Sequence, residues 1–194
     1  MARVERPQMK TAELESYQDQ LLSIRQDATG LMSGLSDAQF NWQPEPGRWS
    51  MSGCFDHLNL SAANLFMPSI DAAIATARAQ NLKSTGPFVY SAFERWCVKT
   101  NDAPAGMRFR APKRVQPMPG KPVDEVRAEF LRWQDELGTR LMEADGLDLR
   151  RAKHKSPIPL VKWSLGAYFQ LMLAHERRHV WQARLVRQNP AFPA

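Results

Sequence analysis

The strongest constraint on this fold lies near the C-terminus. Leu165, Tyr168, Met172, His175, His179, Gln182 and Val186 follow one another at spacings of 3, 4, 3, 4, 3 and 4. That rhythm is the inward stripe of a helix packed nearly parallel to its neighbours. Two of the places where the pattern asks for core side chains are occupied by imidazoles. Residues four apart lie one turn apart on the same face, so both rings can reach a single point. A buried imidazole without partners costs stability. A lone histidine there reads as structural, but a pair reads as two ligands of one ion.

The rest of the chain supplies helices for that stripe to pack against. Leu14, Tyr17, Leu21, Ile24, Ala28, Leu31 and Leu35 repeat the same spacing. They predict a first helix starting near Thr11 and ending at Gly34–Ser36. A capping box would need Glu or Gln where Leu14 stands. Residues 36–50, with Asn41, Pro44, Pro46 and Gly47, predict a loop, with Trp42 and Trp49 plugging one end of the molecule. Ser50 is a good N-cap for a second helix over about 51–80, kinked near Asn64 by Pro68. Residues 81–122 hold many prolines and predict a long crossover with a short helix in 88–99. Val126, Phe130, Trp133, Leu137 and Leu141 mark a third helix over 123–144. A polar loop with His154, Pro157 and Pro159 leads to the fourth, from Ser164 to about Gln188. Four amphipathic helices without a convincing strand predict one all-α domain, a four-helix bundle spanning residues 1–194 with its core in about 11–187.

His175-Glu176-Arg177-Arg178-His179 matches H-E-x-x-H. A peptidase of that kind takes a third ligand downstream, and residues 180–194 contain no His, Asp, Glu or Cys. The third ligand must therefore lie earlier. His57, beside the apolar row Cys54, Leu58, Leu65, is the better candidate; His154 sits in the basic run 151–156. Cys54, one turn before His57, is either a fourth ligand or a small core residue. Imidazole suits zinc, nickel, copper and iron alike.

Composition removes other classes. No stretch approaches the roughly 20 apolar residues of a membrane span. Residues 1–10 lack the apolar core of a signal peptide, which predicts a cytoplasmic protein. Two cysteines, Cys54 and Cys97, make no disulfide framework. The net charge of +6 permits anionic partners, but the basic residues, densest in 108–121 and 150–155, do not alternate with aromatics the way a base-stacking surface does. Nucleic acid is therefore not the expected partner.

Trp49-Ser50, Asp56-His57-Leu58, Ser164-Leu165-Gly166, the H-E-x-x-H segment and Trp181-Gln182 together resemble the DinB/YfiT-like superfamily over residues 11–187. The resemblance implies an up-down-down-up bundle with a long second crossover, often a homodimer. It also implies zinc or nickel at the positions of His57, His175 and His179. Members of known activity include metal-dependent transferases acting with low-molecular-weight thiols, and related isomerases.

The expectation is a divalent-metal-dependent enzyme, a thiol S-transferase or hydrolase acting on a small molecule. Glu176, about 80° around the helix from the midpoint of the histidine pair at about 100° per residue, would be a general base or would orient a ligand; alternatively it pairs with a neighbouring helix. Tyr168 would donate to a substrate oxyanion, and Asn64 and Gln182 would face the same cavity. Arg177 and Arg178 would bind an acidic group or pair across helices. The competing reading is a metal-stabilised binding protein without turnover, which a closed four-ligand shell including Cys54 would favour.

Overall fold

The computed structural model describes residues 9–104, 106, 110–155 and 162–194. The segment before Met9, Arg108 of the basic run, and Pro157 and Pro159 lie outside them.

Helix α1 (Ala12–Met32) buries the expected row from Leu14 to Leu31. Its start is capped from elsewhere. Asp145 accepts from the backbone N–H groups of Lys10 (2.9 Å) and Thr11 (3.0 Å), so Thr11 need not cap its own helix. The segment predicted as a loop contains a short helix, α2 (Asp37–Asn41), closed by a reciprocal capping box between Ser36 and Gln39. The breakers that follow it masked this signature.

Ser50 caps α3 (Met51–Ser61) as expected, accepting from the Gly53 N–H at 3.0 Å. The predicted kink is an interruption of a specific kind. Residues Ala62–Phe66 form a π-helical turn, and α4 (Met67–Ala79) follows with Pro68 in its first turn, where a missing N–H costs least. The crossover carries α5 (Ala92–Asn101) and a 3-10 turn, Lys113–Val115.

Helix α6 (Val123–Glu143) buries Val126, Phe130, Leu137 and Leu141. Midway along its stripe Gln134 is buried and Trp133 only half-buried, the reverse of the expected order, because the Gln134 amide donates to Glu176 at 3.0 Å. A second correction concerns the loop before the last helix. Strands β1 (Lys153–Lys155) and β2 (Lys162–Ser164) pair antiparallel, with His154 opposite Trp163. His154 is 6% exposed, buried despite the basic run around it.

Helix α7 (Leu165–Arg187) completes the mostly helical fold. Both α1 and α3 pack against α6 and α7, and α5 lies on α7. Glu94 of α5 joins this assembly, accepting from the Ser164 N–H and hydroxyl (2.8 and 2.5 Å) and from Ser91. Burial alone would raise its carboxyl pKa, but these donors hold it below the usual range. No described helix is long and apolar enough to cross a membrane.

Candidate metal centre

The inward stripe of α7 meets α3 at His57. Ligand atoms of His57, His175 and His179 all lie within 4.8 Å of one another, a group that could hold a metal ion. The arrangement begins with the crossover. Asp56 is fully buried and pairs with the Lys121 ammonium at 2.7 Å, while also accepting from the Met118 N–H at 2.8 Å. This clamp lays the crossover over α3. The carbonyl oxygen of Val115 then sits 2.6 Å from His57 Nδ1, and a carbonyl can only accept. Nδ1 is therefore the protonated nitrogen, and the lone pair is on Nε2. A histidine ligand is typically oriented by a carbonyl in this way.

His57 Nε2 faces His175 Nε2 at 3.2 Å. Two nitrogens each about 2.1 Å from a tetrahedral ion stand about 3.4 Å apart, so this spacing suits a shared cation. The Nδ1 atoms of His175 and His179 are buried without a hydrogen-bond partner. Packing leaves these rings short of partners, and the donor set fits a divalent ion.

Aromatic side chains wall the group. Trp49 lies against His57 and His179, with ring centroids 4.8 and 5.6 Å away, and Phe66 against His175 at 5.5 Å. Gly53 permits this approach, since a Cβ there would meet Trp49 Cβ at 3.2 Å. Burial pushes all three imidazoles toward the neutral form. His175 falls to about 3, helped by the neighbouring His57 and Arg178 charges. His179 lies well below its usual value through burial and the other two rings. His57 is lowered by burial and partly restored by the Val115 bond. Neutral imidazole is the ligating form.

The other expected residues are placed as follows. Cys54 is not in the group, and burial pushes its thiol up to about 12. His154 is not in it either. Glu176 is buried between α7 and α6. Its Oε1 accepts from Gln134, its Oε2 has no partner, and burial raises the carboxyl to about 8. The Tyr168 hydroxyl donates to the Leu65 carbonyl at 3.4 Å, and burial raises its pKa, keeping it a donor. Gln182 lies beside His179 and slightly offsets the lowering of its pKa. Asn64 is exposed and donates to the Leu60 carbonyl. Arg177 pairs bidentately with Asp102 at 2.9 and 2.7 Å, and Arg178 donates to the Thr100 carbonyl at 3.2 Å. Both arginines thus pair across helices.

The role of Val115 had no signal in the sequence, because any residue carries a carbonyl. Asp56 did have one, the only carboxylate on its helix and adjacent to a candidate ligand.

A helical chain that brings three neutral imidazoles from two helices to one point defines a metal-competent helical protein. Residues 20–183 match the DinB superfamily, and the chain belongs to that superfamily. No curated protein and no solved structure matches it.

Proposed function

We propose that this protein is a divalent-metal-dependent enzyme acting on a small molecule, with His57, His175 and His179 as the metal ligands. The observation that carries this reading is the Val115–His57–His175 relay, in which a fixed tautomer aims one lone pair at a second imidazole. Zinc and nickel are the ions best suited to the proposal. The three imidazoles would hold such an ion, which would supply Lewis acidity toward a thiol or water. Cys54 stays outside the group, which supports an open shell over a closed, purely structural one.

The chain's own residues then have distinct tasks. Trp49 and Phe66 exclude water around the ligands. Glu176, with one oxygen held by Gln134 and the other unpartnered, is the proposed proton acceptor above about pH 8, where its carboxyl is ionised. The protonated Tyr168 hydroxyl is the proposed donor to a substrate oxygen. Transfer of a low-molecular-weight thiol to an electrophile is the reaction we favour, with hydrolysis second. The same proposal includes an up-down-down-up bundle with a long second crossover, working as a cytoplasmic homodimer.

The test is metal analysis of the purified protein beside His175→Ala, followed by thiol-transfer and hydrolysis assays on electrophilic small molecules. The wild type is expected to carry about one equivalent and the variant far less. A variant that kept a full equivalent would overturn the ligand assignment. Turnover independent of added metal would overturn the mechanism.

A further inference from the structure

A second recess, separate from the histidine group, opens between α4, along its whole length, and the β-hairpin. It is an open cleft of about 800 Å³, within the range of small-molecule sites. Four of its lining residues are cationic: Arg114, Arg151, Lys153 and Lys162. No carboxylate lines it among the described residues. None of the four belongs to an ion pair described here. They come from three separate segments, the 3-10 turn, the approach to β1 and the hairpin itself, so the fold brings them together. Like charges around a concavity repel one another, and the wall focuses their field inward.

An independent observation lies in the same cleft. His154 lines it, is 6% exposed, and has no hydrogen-bond partner on either ring nitrogen. Strand pairing to Trp163 and the Tyr168 ring at 4.2 Å hold it in place. An orphaned buried imidazole is costly unless something in the recess bonds to it.

We propose that this cleft is an oxyanion site that takes the carboxylate or phosphate groups of a small ligand, with Arg114 and Arg151 as the forked donors, Lys153 and Lys162 as point charges, and His154 as a donor from the floor. Guanidinium matches both oxyanions in a planar, two-bond geometry. The four cations surround a single recess of small-ligand size, whereas a nucleic-acid track would extend along a surface. The assignment does not rest on the metal reading.

The experiment is calorimetric titration of the full chain, stripped of metal by chelation, with inorganic phosphate and separately with succinate at about 0.15 M salt. Stripping removes the possibility that an anion binds a metal ion instead. One of the two anions is expected to bind with single-site stoichiometry, and the tighter arm identifies phosphate or carboxylate as the group recognised. Arg151→Gln, an exposed change, and His154→Leu are each expected to weaken binding about tenfold or more. Arg132→Gln, which removes the same charge from α6 outside the cleft, is expected to leave it unchanged. Three results would overturn the proposal: no binding of either anion up to about 10 mM, equal weakening by Arg132→Gln and Arg151→Gln, or displacement of the anion by short duplex DNA at far lower concentration.

Discussion

His57 and His154 are both more than nine-tenths buried and both lie against an aromatic ring, yet their nitrogens are treated in opposite ways. His57 gives Nδ1 to the Val115 carbonyl and turns Nε2 toward His175. His154 has no partner at either nitrogen and shares its cleft with four cations. Anchoring one nitrogen fixes where the other must point, as a metal ligand requires. Leaving both free makes the ring depend on something that arrives from solution. The 3-10 turn joins the two environments: Val115 serves His57 with its carbonyl, and its neighbour Arg114 lines the cleft.

The largest effect that would sharpen this contrast concerns metal. Ion present at about a thousand times its dissociation constant adds about 4 kcal/mol to apparent stability. Thermal melts with and without chelator should show that increment in the wild type and none in His175→Ala. His154→Leu should keep the increment, and its loss there would merge the two sites.

Proton uptake comes next. An unfolded histidine takes a proton near pH 6.5, whereas folded His154, lowered by burial, does so only at about 4. The unfolded state therefore binds more protons between those values. The contribution of His154 to stability is complete above about pH 6.5, declines as pH falls, and levels off below about 4. The window of that decline is set by the two pKa values, and solvent screening keeps its size below the full value of about 1.4 kcal/mol per pH unit, on the order of a kcal/mol or two in all. Denaturant unfolding of metal-free protein across that range should show a shallower decline in His154→Leu than in wild type. An unchanged slope would mean that His154 already has a partner.

A smaller effect tests whether the α6 side of α7 belongs with the histidine group. Gln134→Leu strands the buried Glu176 carboxyl, and a lost partner of this kind costs about 2 kcal/mol. Urea midpoints should report that loss while metal content stays at the wild-type level. The smallest effect lies at the rim. The Arg177–Asp102 pair leaves about a third of each side chain exposed, so Arg177→Ala should cost under about 1 kcal/mol, with metal content again unchanged.

These environments were not equally readable before the structure. Helix faces repeat, so the rows from Leu14 to Leu31 and from Leu165 to Val186 appeared directly in the residue spacing, and with them His175 and His179. His57 could be inferred because a third ligand had to precede the pair. The cleft could not be inferred. Its cationic residues come from a turn, the approach to a hairpin and the hairpin itself, with no common period, and three-residue strands are too short to alternate visibly. Within the readable helices, the choice between Trp133 and Gln134 also failed. Adjacent residues on a helix edge differ by one position in phase, and the partner that decides between them, Glu176, lies on another helix.

The π turn at Ala62–Phe66 has a mechanical consequence. It takes up about one residue more than an ordinary helical turn, and it separates His57 on α3 from the stretch of α4 that forms one wall of the cleft. Removing a single residue there would restore regular winding and leave the flanking helices in nearly the same rotational phase, because the turn holds the extra residue within itself. The turn therefore works as a store of slack. One residue of length is taken up between the histidines and the cleft without turning either relative to the other.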